Sequence, residues 1–313
     1  MTVSTSVVFK RFEEEGLSHF SYVLGDEETA QAVVIDPRRD TDEYVAWVEE
    51  RGLELTAVVE THLHADYASG AHELAQKEGV PHYLSAYDED EKYQAEYDHV
   101  ALEDGDTVEV GSLVLEAVHT PGHTPEHLSC LLYPEGRSGE PTRFFTGDFL
   151  FVGSLGRPDL IGEDVKTPLA SKLYGSVRRI KTMDLPEDLM IHPAHGSGSL
   201  CGAGLEDAPE STLGNERENN RYFSIEDEDE FVETVFEALG DFPPYYKRMK
   251  ATNSKGADPV LPIEPPEAKS LSTVRELAEG DDALLVDLRD RESFGAAHIP
   301  GSFNLELTAK LNM

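Results

Sequence analysis

THLHADY (residues 61–67) places two histidines and an aspartate at alternate positions, His62, His64 and Asp66. The segment directly follows LTAVVE (residues 55–60), a run typical of a buried β-strand. In a loop at the end of a strand, alternate side chains can converge on one point. Any one of these histidines alone would more often be a surface or core residue, but the three polar groups together predict a metal site at the rim of a sheet.

Two further segments carry residues that complete such a site. HTPGHT (residues 119–124) ends a strand and turns sharply before His123, and TGD (residues 146–148) places Asp148 after another apolar run. With His62, these residues come from three separate strand ends. Two imidazoles and one carboxylate form the facial triad of non-haem Fe(II) oxygenases, which leaves three coordination positions open.

The other segments of residues 1–250 predict a layered α/β fold. We expect strands within residues 1–36, 55–60, 109–120 and 188–195, and helices over residues 41–52, 68–79, 167–183 and 228–240. Strands in series that are followed by helices suggest sheets covered by helices. Residues 196–221 are rich in Gly, Ser, Asn and Glu and predict a long loop.

A proline-dense segment, ATNSKGADPVLPIEPPE (residues 251–267), breaks both helix and strand patterns. We therefore predict that it links a first domain, residues 1–250, to a second domain, residues 268–313. In the second domain, LSTVRELAEG (residues 271–280) predicts a helix and ALLVDLRD (residues 283–290) predicts a strand.

The composition restricts the partners of the protein. Its 313 residues are 39% hydrophobic, and 62 acidic against 26 basic residues give a formal net charge of −36. This charge repels nucleic acid and anionic membrane surfaces, so we expect neither as a partner. The acidic residues are spread along the chain and only 11 of the basic residues are Lys, which is typical of proteins from salt-accumulating halophiles. An acidic mesophilic protein is the alternative.

Cysteine content and hydropathy bear on the compartment. Two cysteines, Cys130 and Cys201, are too few for a disulfide-stapled secreted scaffold. The N-terminal sequence has no basic region followed by a long apolar run, and no stretch approaches about 18 uninterrupted apolar residues. We therefore expect a soluble, cytoplasmic protein.

Four motifs together resemble the metallo-β-lactamase superfamily: the His-x-His-x-Asp core, the Thr-Pro-Gly-His-Thr turn, Thr-Gly-Asp, and Pro-Ala-His (residues 193–195). They span most of residues 1–240, and the resemblance implies a four-layer αββα fold there. Within the superfamily, GRPD (residues 156–159) and LYGSV (residues 173–177) look like persulfide dioxygenases. HPAHGSGSLCG (residues 192–202), together with the C-terminal segment, looks most like persulfide dioxygenase–rhodanese fusions.

The rhodanese resemblance is carried by Asp287-x-Arg289 after a strand and by the turn HIPG (residues 298–301). A complete domain of this kind needs roughly a hundred residues. We therefore expect residues 268–313 to form the incomplete start of a rhodanese-like α/β domain. Its catalytic cysteine loop would lie beyond Met313, so no sulfurtransferase activity is predicted.

The persulfide dioxygenase resemblance implies a cofactor and a reaction. In that family one Fe(II) per chain is bound by the residues that match His62, His123 and Asp148. The implied substrates are a low-molecular-weight thiol persulfide, O2 and water, and the products are the thiol and sulfite. The family also implies a homodimer or a homotetramer.

Tyr67 departs from the pattern of the dinuclear hydrolases of the superfamily, which have histidine at this position. A neutral phenol with an ordinary pKa of about 10 is a poor Zn²⁺ ligand, so one metal is favoured over two. A single Zn²⁺ on His62, His64 and His123 would also fit. One alternative function is therefore a Zn-dependent thioester hydrolase of the glyoxalase II type. A second is a non-enzymatic sulfur carrier or sensor that depends on Cys201.

Three polar residues near the predicted ligands receive candidate catalytic roles. His64 and Asp66 need not touch a single iron and would orient its ligands and carry protons. His195 matches a ligand of the second metal in the hydrolases. Here we expect it to be either a polar wall of the pocket or a catalytic residue.

The remaining candidates concern sulfur and substrate. Cys201, in a Gly/Ser-rich loop, is either a thiol that accepts or relays sulfane sulfur or an unreactive loop cysteine. Arg157 and Tyr174 are candidate substrate-binding residues. For Arg157 a guanidinium contact to a carboxylate or phosphate of the thiol carrier competes with a structural ion pair to Asp159.

Overall fold

A computed structural model describes residues 7–88, 91–241, 243–260, 267–280 and 283–307. The chain divides into two units, Met1–Asp258 and Pro259–Met313. The strands of the first unit are β1 (Val7–Glu14), β2 (His19–Asp26), β3 (Gln31–Ile35), β4 (Glu54–Val59), β5 (His82–Ser85), β6 (Val100–Leu102), β7 (Thr107–Val110), β8 (Leu113–His119), β9 (Leu128–Tyr133), β10 (Arg143–Gly147), β11 (Leu150–Phe151), β12 (Ser154–Leu155), β13 (Met190–Pro193) and β14 (Ser211–Thr212). Its helices are α1 (Asp42–Glu50), α2 (Ala71–Glu78), α3 (Lys166–Thr182), α4 (Leu213–Asn219), α5 (Arg221–Ser224), α6 (Glu228–Ala238) and α7 (Tyr246–Lys255).

Two six-stranded sheets form the centre of the first unit. One has the order β1-β2-β3-β4-β5-β6 and changes from antiparallel to parallel pairing at β3. The other has the order β14-β13-β10-β9-β8-β7, with β10 and β13 as its parallel pair. Parallel neighbours need a crossover connection, which α1, α2 and α3 supply between β3 and β4, β4 and β5, and β10 and β13.

Three buried apolar clusters define four layers. One fills the space between the two sheets, with Leu24 on one side and Leu115 on the other. The second joins the outer face of the first sheet to α1 and α2, where Tyr44 and Leu74 are buried. The third joins the outer face of the second sheet to α3, α5 and α6. This αββα arrangement confirms the layered α/β fold predicted from the sequence.

Helix α3 shows how the sequence positions a wall of the functional site. Its buried residues recur at helical spacing, so one stripe faces the second sheet. A Cβ at Gly122 would lie 2.5 Å from the Cβ of Leu173. Only glycine therefore lets this helix pack so closely against the turn that carries His123.

Residues 196–221 differ from the predicted long loop, because they contain β14, α4 and the start of α5. The Thr212 side chain caps α4 by accepting a hydrogen bond from the Asn215 N–H, and Leu213 is fully buried. The cap and the buried leucine are local signals that the high content of Gly, Ser and Asn concealed.

The first residues of the predicted linker, residues 251–267, belong to a helix. Helix α7 continues to Lys255, and Asn253 and Ser254 are buried against the first unit. Residues 261–266 of the predicted linker lie outside the described residues.

The second unit contains α8 (Leu271–Glu279), β15 (Val286–Asp287), α9 (Arg291–Ala296) and β16 (Phe303–Asn304). Helix α8 confirms the helix predicted there, and β15 pairs with β16 in parallel. The strand predicted over residues 283–290 is reduced to two residues. Residues 281–282 and 308–313 lie outside the described part of the chain. This pair of short strands does not identify a fold, so the rhodanese-like domain stays a prediction.

Among the described helices of the whole chain, none is long and apolar enough to cross a membrane.

Candidate metal centre

The candidate centre lies where strands of both sheets end. The loop after β4 carries His62, the turn between β8 and β9 carries His123, and Asp148 directly follows β10. All three side chains are at most 1% exposed. Because the sheets hold these strands in register, the loops at their ends keep a fixed position relative to one another.

The three predicted ligands face one point. His62 Nε2 lies 3.7 Å from Asp148 Oδ2, and His123 Nε2 lies 3.4 Å from the same oxygen. One ligand atom of each residue lies within 4.8 Å of the others. Among the described residues, none of these three atoms has a hydrogen-bond partner. Buried polar atoms without partners are costly, so three of them around one point fit a bound cation.

The charge states of the three residues also suit a metal. Burial lowers the pKa of His62 well below its ordinary value and lowers the pKa of His123 to about 4, so both imidazoles are neutral at pH 7. Burial by itself would raise the pKa of Asp148, but His195 and His123 hold that pKa well below its usual range. Neutral histidine and ionised aspartate are the forms that bind metals.

A chain of hydrogen bonds orients the imidazole of His62. Thr61 Oγ1 donates to Asp36 Oδ2 over 2.9 Å, so its oxygen is left to accept a bond from His62 Nδ1 at 3.0 Å. The Thr61 backbone N–H also donates to Asp36 Oδ1 over 2.8 Å. With the proton on Nδ1, the lone pair of His62 is on Nε2, the atom that faces Asp148.

His127 holds the backbone that presents the carboxylate ligand. Its Nε2 accepts a hydrogen bond from the Asp148 backbone N–H over 2.9 Å, and its Nδ1 lies 2.9 Å from Thr120 Oγ1. Its ring also stacks on that of His62, with 5.1 Å between centroids. His127 therefore supports two of the ligands without being one.

A second group of potential ligands, Asp66, His195 and Cys201, lies within the same buried region. Both nitrogens of His195 are engaged: Nδ1 lies 2.6 Å from Asp148 Oδ1, and Nε2 lies 2.8 Å from Asp66 Oδ2. Burial opposes the charged form of His195, but Asp148 and Asp66 raise its pKa well above the ordinary value. Because both ring nitrogens of His195 face carboxylate oxygens, neither is directed at an open coordination position, and this geometry favours one metal rather than two.

His64 and Tyr67 lie beside the centre and face Asp36 instead. His64 Nε2 is 3.2 Å from Asp36 Oδ1, and the Tyr67 hydroxyl donates to the Asp36 carbonyl over 3.3 Å. Burial raises the pKa of Tyr67 well above its ordinary value, so the phenol is neutral. The set of three histidines that the single-Zn²⁺ alternative requires is not among the ligand groups that the described residues form.

Cys201 lies near the centre but is enclosed. It is 1% exposed, and its backbone N–H donates to Ser199 Oγ over 3.1 Å. Burial, and then the charges of Asp66 and Asp148, raise the pKa of the thiol well above its ordinary value. Reactive thiols need exposure and a lowered pKa, so these surroundings favour the alternative of an unreactive cysteine.

Of the two alternatives predicted for Arg157, the structure contains the ion pair with Asp159. Its Nε and Nη2 donate to the two carboxylate oxygens of Asp159 over 2.7 and 2.8 Å. Other guanidinium N–H groups donate to the carbonyls of Leu200 and Gly240.

Tyr174, the other predicted substrate-binding residue, contacts the region of α6 and not the predicted ligands. Its hydroxyl donates to the Glu226 carbonyl over 2.6 Å, and its ring packs edge-on against Phe231. It stabilises the contact between α3 and α6 instead. The neighbouring Leu173 is the residue of this motif that touches the ligand turn.

Helix α7 contributes residues that sequence analysis missed. Asn253 Nδ2 donates to the carbonyls of His64 and Tyr67, each over 2.8 Å. Lys250 and Tyr246, on the same face, are at most 2% exposed. Helical spacing of these three residues was the available signal, and it was hidden because the end of the helix was assigned to a linker.

Comparisons with characterised sequences agree with this geometry. The family model described as Metallo-beta-lactamase superfamily matches residues 15–195. The chain is 33% identical over 202 residues to the mitochondrial persulfide dioxygenase ETHE1 of Bos taurus, which is 64% of this chain and 73% of the relative. It is 29% identical over 215 residues to the probable polyketide biosynthesis zinc-dependent hydrolase BaeB of Bacillus velezensis, 69% of this chain and 86% of the relative. It is 31% identical over 185 residues to a hydroxyacylglutathione hydrolase of Francisella philomiragia, 59% of this chain and 65% of the relative.

Solved structures include similar folds. A metallo-beta-lactamase from Staphylococcus aureus subsp. aureus COL aligns with a TM-score of 0.85 and 34% identity, over 97% of this chain and 86% of that chain. ETHE1 from Myxococcus xanthus aligns with a TM-score of 0.65 and 28% identity, over 79% and 98%. TTHA1623 in a di-iron-bound form aligns with a TM-score of 0.50 and 27% identity, over 68% and 99%.

Proposed function

Because the chain belongs to the metallo-β-lactamase superfamily, we propose that it is a persulfide dioxygenase that uses one Fe(II). The observation that carries the proposal is the triad of His62, His123 and Asp148, whose unpartnered atoms face one point. Such a triad takes one face of an iron and leaves positions for substrate and O2. Relatives named persulfide dioxygenase support the substrate class.

The proposed reaction converts a low-molecular-weight thiol persulfide, O2 and water into the thiol and sulfite. Bound Fe(II) would supply open coordination positions and redox activity toward O2. His195 lies between Asp148 and Asp66, where it would orient the Asp148 ligand and carry a proton for the reaction. An apolar cluster that includes Phe151, Leu160 and Tyr246 would exclude bulk water from this side of the centre.

A Zn-dependent thioester hydrolase is the second candidate. The relatives named zinc-dependent hydrolase and hydroxyacylglutathione hydrolase support it, at identities close to that of the persulfide dioxygenase. The two carboxylate contacts of His195 and the neutral Tyr67 argue against the dinuclear form of such a site. A non-enzymatic sulfur carrier or sensor would depend on Cys201, and the burial of that thiol argues against it.

The deciding experiment compares the two metals on the two reactions. The full chain is loaded anaerobically with Fe(II) or with Zn²⁺, and metal per chain is measured by elemental analysis. O2 uptake and sulfite release are then followed with glutathione persulfide, and thioester cleavage with S-lactoylglutathione. We expect the wild type to bind about one iron per chain and to take up O2 only when iron is bound. Asp148→Asn should lose both the iron and the O2 uptake. Thioester cleavage with Zn²⁺, without O2 uptake with iron, would overturn the proposal.

A further inference from the structure

Helix α7 carries a buried lysine, Lys250, to which the proposed reaction assigns no role. Lys250 is 1% exposed, and among the described residues its Nζ has no hydrogen-bond partner. The carboxylate of Glu126 lies 3.8 Å away, too far for a hydrogen bond, and the Tyr93 ring centroid lies at 6.0 Å. An ammonium carries three N–H donors, so most of its bonding capacity is unused.

Lys250 lies beside the loop that carries His62: its neighbour Glu126 accepts a hydrogen bond from the Leu63 N–H, and Asn253, one turn later on α7, donates to the His64 carbonyl. After burial, the charge of Lys250 is among those that lower the pKa of His62 and His123. Burial lowers the pKa of Lys250 itself, while Glu126, Cys201, Asp148 and Asp66 act to raise it. The side chain of Lys250 thus lies next to a carboxylate that is bonded to the residue after His62, on the helix that holds the ligand loop.

The surroundings of Lys250 do not explain why it is a lysine. The one recorded ion pair, to Glu126, is loose, and Glu126 Oε1 already accepts a hydrogen bond from the Leu63 N–H over 3.3 Å. A buried charge with a poor partner destabilises a fold, and an apolar side chain of similar volume is often better tolerated. Such a costly group beside a reaction centre is typical of a binding or catalytic role.

We propose that the Lys250 ammonium binds the negatively charged persulfide group of the substrate and positions it at the metal centre. The identity of this anion depends on the proposed function. A persulfide is a stronger acid than its parent thiol, so its terminal sulfur is anionic at neutral pH. The carboxylates of Asp66 and Glu126 would repel that anion, and a nearby cation offsets the repulsion. Arg157 cannot serve, because its guanidinium is bonded to Asp159.

The first test uses steady-state kinetics of the iron-loaded full chain with glutathione persulfide. Lys250→Met should raise KM about 10- to 100-fold, with a smaller change in kcat, because one charge-assisted contact to the bound anion is lost. Lys250→Arg, which keeps the charge, should recover part of the loss. The matched control is Lys247→Met on the same helix, since Lys247 is exposed and should leave both constants unchanged. An unchanged KM in Lys250→Met would overturn the proposal.

The second test needs no turnover. Thiosulfate, an anion with a terminal sulfur, is titrated anaerobically into the iron-loaded proteins by calorimetry. Lys250→Met should weaken its binding about 10- to 100-fold, and Lys247→Met should not. If the wild type consumes no O2, the proposed function fails while this measurement still decides whether Lys250 binds anions. If the wild type is active and thiosulfate binds Lys250→Met as tightly, the lysine proposal alone fails.

Thermal unfolding separates binding from a purely structural role. Because Lys250→Met alone would leave the buried Glu126 carboxylate without its nearby cation, the test uses the double variant Lys250→Met/Glu126→Gln, which removes both charges and should unfold at the same temperature as the wild type or at a higher one. A lower unfolding temperature together with unchanged thiosulfate affinity would assign Lys250 to a structural pair with Glu126 and overturn the proposal.

Discussion

The imidazole of His62 is controlled by the hydroxyl of its neighbour Thr61. That hydroxyl donates to Asp36 and accepts from His62 Nδ1, which leaves Nε2 as the nitrogen that faces the metal position. Groups that orient a metal-binding histidine contribute to affinity even though they never touch the metal. The identity of His62 as a candidate ligand can therefore be recognised from its own segment of sequence. Its tautomer, however, depends on Asp36, which lies 25 positions before Thr61.

We predict that Thr61→Val weakens metal binding. Valine keeps the branched shape and removes the hydroxyl, so affinity should fall about 10- to 100-fold while the fold is retained. Competition with a chelator measures the affinity, and circular dichroism monitors the fold. Thr234→Val is the matched control, because the Thr234 hydroxyl donates to the Glu230 carbonyl within α6. Equal affinities for the two variants would refute the role of Thr61.

Helix α7 holds the ligand loop from outside the two sheets. Asn253 donates to the carbonyls of His64 and Tyr67 and accepts from the Ser69 N–H over 2.9 Å. One amide side chain thus satisfies three backbone groups of the segment that follows β4. Loops without secondary structure depend on such bonds for their shape.

We expect Asn253→Ala to lower the free energy of unfolding by about 2–3 kcal/mol, since it leaves buried backbone groups without partners. Metal affinity should fall as well, because the loop that carries His62 loses its support. Urea unfolding and chelator competition measure the two effects. Thr252→Ala, whose hydroxyl donates to the Arg248 carbonyl within the helix, should change stability by less than about 0.5 kcal/mol. If Asn253→Ala behaves like Thr252→Ala, α7 does not stabilise the loop.

The turn between β7 and β8 is tied to the first sheet through Asp26. Its Oδ2 accepts from the Ser112 N–H, the Ser112 hydroxyl and the Thr29 hydroxyl, over 2.7, 2.9 and 2.8 Å. Burial by itself would raise the pKa of Asp26, but these hydrogen bonds lower it to about 2. The carboxylate thereby connects the two sheets at the end of β2.

Asp26→Asn should therefore destabilise the protein by about 1–3 kcal/mol at pH 7. Because the pKa is lower in the folded state, this stabilisation is complete above the ordinary value of about 3.9 and is lost as the pH falls toward 2. Urea unfolding at pH 7 and at acidic pH measures the difference between variant and wild type. The difference in free energy of unfolding between Asp26→Asn and the wild type should decrease as the pH is lowered. Glu28→Gln, a substitution at an exposed residue, should change the free energy of unfolding little at either pH. A difference that stays constant with pH would contradict the charge-based explanation.

At the scale of the whole molecule, the net charge of −36 dominates. Like charges on a compact surface repel one another and destabilise the folded state. Salt at about 1 M reduces the screening length to about 3 Å and removes most of this repulsion.

We predict that stability increases with KCl up to molar concentrations. The unfolding temperature and the urea midpoint should rise as KCl is increased from 0.1 to 2 M, because the salt screens the repulsion between surface charges. A neutral osmolyte such as sucrose, tested at matched water activity, controls for solute exclusion. Full stability in dilute buffer, with no response to KCl, would support the acidic mesophilic alternative.

The sequence by itself determined the candidate metal ligands and the layers. His62, His123 and Asp148 each follow a strand with a clear apolar pattern, and both the strand pattern and the residue type are local properties. The tertiary structure alone decided the chemistry around them. The carboxylate contacts of His195, the enclosure of Cys201 and the ion pair of Arg157 all depend on burial and on neighbours brought in by the fold. Asn253 contacts the His64 carbonyl across 189 positions of sequence, and no local pattern encodes a contact of that range.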